Sequence, residues 1–431
     1  MKPRTFVLKN GLQVVLIDTK TFPTMTTLLL IGAGSRYENG KNNGIAHFFE
    51  HMAFKGSKKY PNSFVISSTI EGKGGIFNAF TSKDHTGYWI KSPVDHFETV
   101  IDVVADMVLN SKLDPVEIEK EKGVIKEEIN MYEDTPQRKV GEMFESLLYK
   151  GNPLGFDIAG VKETIDSFDR TTFTDYIKNL YHPENAVLIV AGGLAGNGRN
   201  NSLQDYLKKI GEKFKNWKSG KREIFLPMNE SQSKPQMLIK YKKTEQAHFC
   251  LGFRAFSFQD NRKYALNVLA MILGGGMSSR LFMEVREKRG LCYYISTGAE
   301  LYGDVGNFVT QAGVTIDASK VKEAISTILK EHKKISSGGV KEDELERVKE
   351  LLKGRILLSL EDSSNVASFI GTKKLLQDKI ETPEEAIEKI MAVKSQEVIA
   401  LAKELFVNRG LNLALIGPFK DSDFAGFDFT I

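Results

Sequence analysis

The chain repeats itself, and the repeat limits the folds open to it more than any other feature. The charged run Asp114-Pro115-Val116-Glu117-Ile118-Glu119-Lys120-Glu121, continuing to Tyr132-Glu133-Asp134, returns as Lys341-Glu342-Asp343-Glu344-Leu345-Glu346-Arg347, continuing to Leu360-Glu361-Asp362. Asp134 and Asp362 stand 228 residues apart. Each copy also closes on an apolar run ending in glycine, Val187 to Gly192 and Leu413 to Gly417. A chain of 431 residues is too long for one ordinary core, so two tandem copies of one domain are expected. Residues 1–217 form the first and 236–431 the second, joined by a linker at 218–235 with Pro227, Pro235 and scattered Ser and Asn.

Local patterns indicate an α+β domain, a mostly antiparallel sheet flanked by helices. Phe6 to Leu8 and Leu12 to Ile17 flank Asn10-Gly11, a strong hairpin signal. The apolar run Thr26 to Ile31 reads as a third strand, and Ile76 to Thr81 as another. Apolar residues at 97, 100, 101, 104, 107 and 108 make a helical stripe over Phe97 to Leu109. Val116 to about Tyr132 is a long charged helix, and Asn185 to Gly192 a short buried strand. A glycine- and asparagine-rich stretch, Gly192 to Asn201, leads to a basic amphipathic helix over Ser202 to Trp217. In the second copy, strands are expected at His248 to Phe256 and Tyr293 to Ser296, and helices at Tyr264 to Leu273, Leu281 to Lys288 and Ala318 to Lys334.

Chemistry concentrates at Gly44-Ile45-Ala46-His47-Phe48-Phe49-Glu50-His51-Met52-Ala53-Phe54, which contains H-x-x-E-H. On a helix His47 and His51 lie one turn apart on one face, so both imidazoles reach a single metal ion. Glu50 projects beside them and is placed to take a proton from a water that the metal acidifies. This is the inverted zincin spacing, and a chance match in a chain of this composition is expected on the order of once in a hundred. The second copy cannot repeat the site, because its only histidines, His248 and His332, are far apart.

A catalytic zinc takes three protein ligands, and two histidines leave it one short. The acidic residues of the charged helix are the candidates: Glu117, Glu119, Glu121, Glu127, Glu128 and Glu133. Glu121 and Glu128 are set apart by a seven-residue spacing that aligns them two turns apart, with Val124 and Ile125 between them. Such a pair suits one ligand and one carboxylate that orients a ligand.

The bulk composition excludes other classes. The net charge of +4 is the small difference between 59 basic and 55 acidic residues, with no long block of one sign, so no nucleic-acid partner is expected. Cys250 and Cys292 sit in apolar runs, which suits a reducing compartment. No secretory core follows Met1-Lys2-Pro3-Arg4, and no stretch approaches the ~20 apolar residues of a membrane span. A cytoplasmic protein without a membrane partner is expected.

Together His47, Glu50, His51, Glu121 and Glu128 resemble the pitrilysin/insulinase metallopeptidases, in which H-x-x-E-H is followed by E-[KR]-x-V-x-x-x-E. Here the second pattern reads Glu121-Lys122-Gly123-Val124-Ile125-Lys126-Glu127-Glu128. The resemblance implies Glu128, not Glu127, as third ligand, Glu121 as its supporting acid, and one Zn²⁺ per chain. Its R-x-x-x-x-L-x-Y pattern corresponds to Arg286-Glu287-Lys288-Arg289-Gly290-Leu291-Cys292-Tyr293, which implies substrate binding by Arg286 and oxyanion stabilisation by Tyr293. Ile76 to Thr81 resembles the family's edge strand, with Asn78 and Ala79 offering backbone to an extended peptide. The two-domain bacterial branch akin to mitochondrial processing peptidase β is the nearest in layout. It implies a zinc endopeptidase acting on short peptides or unfolded polypeptides enclosed between two halves, and a dimer, of two identical or two related chains. The alternative is a non-catalytic scaffold subunit of the same fold.

Overall fold

A computed structural model describes residues 2–194, 202–229 and 231–431. Most of the stretch 192–201 lies outside the described residues. The chain forms two compact units: Met1–Ile129 with Phe156–Leu226 and Leu357–Pro383, and Asn130–Gly155 with Pro227–Ile356 and Glu384–Ile431. Each is an α+β unit, as the local patterns indicate.

The first unit is built on a six-stranded sheet of β1 (Arg4–Val7), β2 (Gln13–Asp18), β3 (Thr24–Ile31), β4 (Ile76–Thr81), β5 (Thr86–Pro93) and β6 (Ala186–Gly192). The strand order is β1-β2-β6-β3-β5-β4, with β2 and β6 parallel and the other neighbours antiparallel. β1 and β2 form the hairpin expected at Asn10-Gly11, where the Asn10 side chain accepts from Leu12 N–H. β6, last in sequence, is inserted in the middle of the sheet.

Both faces of this sheet are covered, which is why β3 and β6 read as unbroken apolar runs instead of alternating ones. On one face Val14, Leu16, Leu29, Leu188 and Val190 join a core with the helices Ile45–Ala53, Phe97–Leu109 and Arg170–Leu180. On the other, Val15, Ile17, Leu28, Leu30, Val187 and Ile189 meet Val366, Ala367 and Ile370 of the helix Ser363–Gln377, which the second half of the sequence encodes. Full burial of each large aliphatic side chain here is worth about 1.5–3 kcal/mol. At Gly371 the approach is so close that a Cβ would stand 2.6 Å from Ile189 Cδ1, so a larger residue there would make the Ile189 side chain shift.

The second unit has five strands: β7 (Gln236–Tyr241), β8 (Ala247–Ala255), β9 (Cys292–Leu301), β10 (Gly306–Val314) and β11 (Asn412–Gly417). Their order, β7-β11-β8-β10-β9, repeats the first unit's β2-β6-β3-β5-β4, again with one parallel pair at the inserted strand. Here too a helix from the other half of the sequence covers one face: Val140, Phe144 and Leu148 of Pro136–Leu148 pack on Cys250, Ala414 and Ile416. The expected helix at 281–288 is a π-helical turn, Phe282–Glu287, and the strand expected at 293–296 runs through Cys292–Leu301. No helix among the described residues is long and apolar enough to cross a membrane.

Candidate metal centre

The helix Ile45–Ala53 is fixed by its apolar side. Phe48 packs edge-on against Phe173 at 5.0 Å, and Phe49 against Tyr181 at 5.0 Å, so rotation of the helix about its axis is blocked. Residues three and four apart share a face, and with Phe48, Phe49 and Met52 committed to the core, His47, Glu50 and His51 line the opposite side. Gly44 starts the helix at φ +96°, and a Cβ there would stand 2.9 Å from Ala159 O, two independent reasons for glycine.

The long helix Pro115–Glu133 brings the carboxylates. Glu128 Oε2 lies 3.5 Å from His47 Nε2 and 3.6 Å from His51 Nε2. His47, His51 and Glu128 each offer one ligand atom, all within 4.8 Å of one another. A tetrahedral zinc with bonds of about 2.0–2.2 Å holds its ligand atoms roughly 3.3–3.6 Å apart, so the donor set fits the ion in kind and spacing. The neighbouring Glu127 is exposed.

Glu121 is buried seven residues earlier, and its Oε1 is 2.8 Å from His51 Nδ1. With the proton on Nδ1 donated to Glu121, His51 presents the Nε2 lone pair toward Glu128. The other Glu121 oxygen meets Lys55 Nζ at 2.5 Å. Burial works to raise the Glu121 pKa, but the bonds and charges of His51 and Lys55 outweigh it and hold the carboxyl below its ordinary range. Burial likewise works to lower the His51 pKa, and the bond and charge of Glu121, with the charges of Glu128 and Glu50, raise it.

Glu50 is held differently. Thr81 Oγ1, at the end of β4, donates to Glu50 Oε2 at 2.7 Å. Burial nevertheless raises the Glu50 pKa, with the Glu128 charge adding to it and the Thr81 bond and His51 opposing. A carboxylate of raised basicity, next to a metal-ligand set and not part of it, is suited to accept and return a proton. Lys55 and Thr81 were not singled out from sequence. Lys55 lies just past the end of the helix at Ala53, four residues after His51, whereas Thr81 reaches Glu50 only through sheet geometry.

Asn78 and Ala79 lie on β4, an edge of the sheet paired only with β5. Asn78 is exposed, and its Oδ1 accepts from Ala79 N–H at 2.9 Å, so one main-chain donor of the edge is engaged by the strand's own side chain. In the second unit Arg286 sits on the π-helical turn and Tyr293 near the start of β9. The Arg286 guanidinium lies 5.7 Å from the Tyr293 ring centre and 4.7 Å from that of Phe282, and Tyr293 is 73% exposed.

Comparison with known proteins agrees with this geometry. Residues 13–162 match the insulinase family, peptidase family M16, and residues 167–352 match the peptidase M16 inactive domain. A Bacillus subtilis protein described as an uncharacterized zinc protease, YmxG, is 35% identical over 96% of this chain and 98% of its own length. A similarly described zinc protease of Rickettsia bellii is 33% identical over 97% and 98%. Among solved structures, a protease from Helicobacter pylori has the same fold, with a TM-score of 0.89 at 23% identity over 97% of this chain and 99% of that one. With the inverted zincin spacing, the two-copy architecture and full-length relatives above 30% identity, the chain belongs to peptidase family M16.

Proposed function

We propose that this protein is a zinc-dependent endopeptidase that hydrolyses peptide bonds in short peptides or unfolded polypeptides. The observation that carries the reading is the convergence of His47 Nε2, His51 Nε2 and Glu128 Oε2 beside a basic Glu50 that is not one of the ligands. His47, His51 and Glu128 would hold one Zn²⁺, which when bound supplies Lewis acidity that lowers the pKa of a water and polarises the scissile carbonyl. Glu50 removes a proton from the attacking water and returns one to the departing amine, while Thr81 keeps its carboxylate turned toward the site. Glu121 fixes the His51 ring and tautomer, and Lys55 keeps Glu121 ionised for that task. We assign Arg286 to gripping the peptide and Tyr293 to donating to the oxyanion, the roles the family resemblance implies. The edge of β4 accepts the substrate as an added strand, for which the Asn78 amide must release Ala79 N–H.

The test uses the full chain: zinc content of the purified protein, and cleavage of a quenched peptide and of an unfolded protein before and after chelation. One zinc per chain and cleavage lost on chelation and restored by zinc are expected. Stoichiometric zinc with no cleavage of either substrate overturns the enzyme reading in favour of a scaffold subunit. We also propose that the chain forms a homodimer, which sedimentation of the same sample tests; mixing with a related chain tests a heterodimer.

A further inference from the structure

We propose that Glu38 is a positioning residue for the reaction, a buried carboxyl cap that sets the first turn of the metal helix and through it the placement of His47. This inference rests on the reading of Ile45–Ala53 as the metal helix.

An α-helix begins with N–H groups that have no partner within it, and a side chain at the N-cap position normally takes one of them. Here that position is Gly44, which has no side chain to offer. Glu38, six residues upstream and only 3% exposed, takes over. Its Oε2 accepts from Gly44 N–H at 2.8 Å and its Oε1 from Ala46 N–H at 2.9 Å. Asn43 Nδ2 donates to the same Oε2 at 2.9 Å and to Asp157 O at 3.0 Å. Thr164 Oγ1 then donates to Asn43 O at 2.6 Å, tying the cap to the segment behind the helix.

Three features go beyond ordinary capping. Both oxygens of one carboxylate are used, so the bonds fix the orientation of the turn as well as its position. Ala46 is the residue before His47, so a displaced Ala46 N–H moves the imidazole that must meet Glu128. Finally, this helix has no acidic residue of its own in the first turn, so Glu38 is the carboxyl group that meets its N-terminal N–H groups. Burial pushes the Glu38 pKa up to about 7, against the bonds from Ala46, Gly44 and Asn43 and the charge of Lys83. A glutamine fits the same space but offers one acceptor and one N–H₂ donor, which would face a backbone donor.

The experiment compares wild type, Glu38→Gln and Asn185→Ala by three measurements. Asn185 is a buried amide of the same unit that donates to Gly32 O and Leu180 O, and it serves as a control for lost stability. Zinc affinity of the metal-free proteins is read by competition with a chromophoric chelator, hydrogen exchange reports the amides of the metal helix without metal or substrate, and peptide cleavage separates kcat from KM. Glu38→Gln is expected to weaken zinc about 10–100-fold, speed exchange at Gly44 to Phe48, and lower kcat with KM nearly unchanged. Asn185→Ala is expected to lower thermal stability and leave zinc affinity alone. Unchanged zinc affinity and exchange in Glu38→Gln, or an equal loss of zinc in Asn185→Ala, overturns the proposal. If Glu38→Gln does not fold, Asn43→Ala, which removes one of the carboxylate's three bonds, is read by the same criteria with a smaller expected effect. A wild-type protein that binds no zinc or cleaves nothing defeats the endopeptidase reading, while the exchange comparison still decides the role of Glu38.

Discussion

The two units place a helix after the same strand of the same sheet order and use it in opposite ways. In the first unit Ile45–Ala53 follows β3, buries all but Glu50 and His51, and turns these two with the buried His47 toward Glu128 instead of the apolar core. In the second Lys263–Gly274 follows β8, and every residue from Lys263 to Gly274 except Asn267 is buried. The long charged helices differ likewise. At the 228-residue offset, the places of Glu121 and Glu128 are taken by Lys349 and Ile356. The second unit's histidines serve its packing: His332 lies flat on Phe406 at 4.3 Å, and His248 Nδ1 is 3.0 Å from Tyr294 Oη. The sheet and its helices thus stand on apolar contacts that both units share, while the metal site is a small set of side chains that one unit has and the other lacks.

The largest effect that would break this comparison is at Glu50. Glu50→Gln is expected to keep zinc and fold and to lower turnover by about 10²–10⁴-fold; substantial cleavage by the purified, zinc-loaded variant removes Glu50 from its role. Next comes the adjacent carboxylate pair. Glu128→Gln should lose zinc on dialysis and Glu127→Gln should keep it, with Glu121→Gln intermediate at about 10–100-fold weaker binding. Metal analysis reads all three, and exchanged outcomes for 127 and 128 mean that the helix faces the other way.

The second unit's contribution is sharpened by Tyr293→Phe. A drop of about 10²–10³ in turnover is expected, with zinc stoichiometry and thermal stability unchanged. Mixing Tyr293→Phe with Glu50→Gln subunits then asks whether both groups must lie in one chain, and activity recovered on mixing would show that they need not. The smallest effect belongs to His332. Burial among aromatic rings lowers its pKa to about 3, so it stays neutral in the folded unit where an unfolded chain takes up a proton. Stability is therefore unaffected above the unfolded pKa of about 6.5 and falls as pH drops from there toward 3, by about 2 kcal/mol at pH 5. In His332→Leu that acid loss should shrink, as read from urea midpoints at pH 7.5 and 5; parallel pH slopes in the two proteins would contradict it.

Much of this was legible because it is local. The hairpin at Asn10-Gly11, the helix Phe97–Leu109 and the strand β6 follow from turn chemistry and periodicity within a few residues. The spacing of His47, Glu50 and His51 on one helix face is local in the same sense. Val124 shows the limit: it and Ile125 both stand between Glu121 and Glu128 in sequence, yet Val124 is 50% exposed and Ile125 is buried. Thr81 reaches Glu50 from 31 residues away through sheet geometry that no short window contains, whereas Glu38 is only six residues before Gly44 but lies outside the usual cap position. The coverings of the second sheet faces were not legible either, since the partners of Val366 and Ile370 are strands more than 150 residues away.

That last feature bears on how the protein is made. All six strands of the first sheet have been synthesised once β6 ends at Gly192, yet the helix over its second face ends at Gln377. At about 5–20 residues per second, the 185 residues between them take roughly 10–40 s to translate. For that time Val15, Leu28, Leu30 and Ile189 present an apolar surface at the ribosome. A fragment stopped at the linker would lack that helix altogether and leave the same apolar residues without their cover.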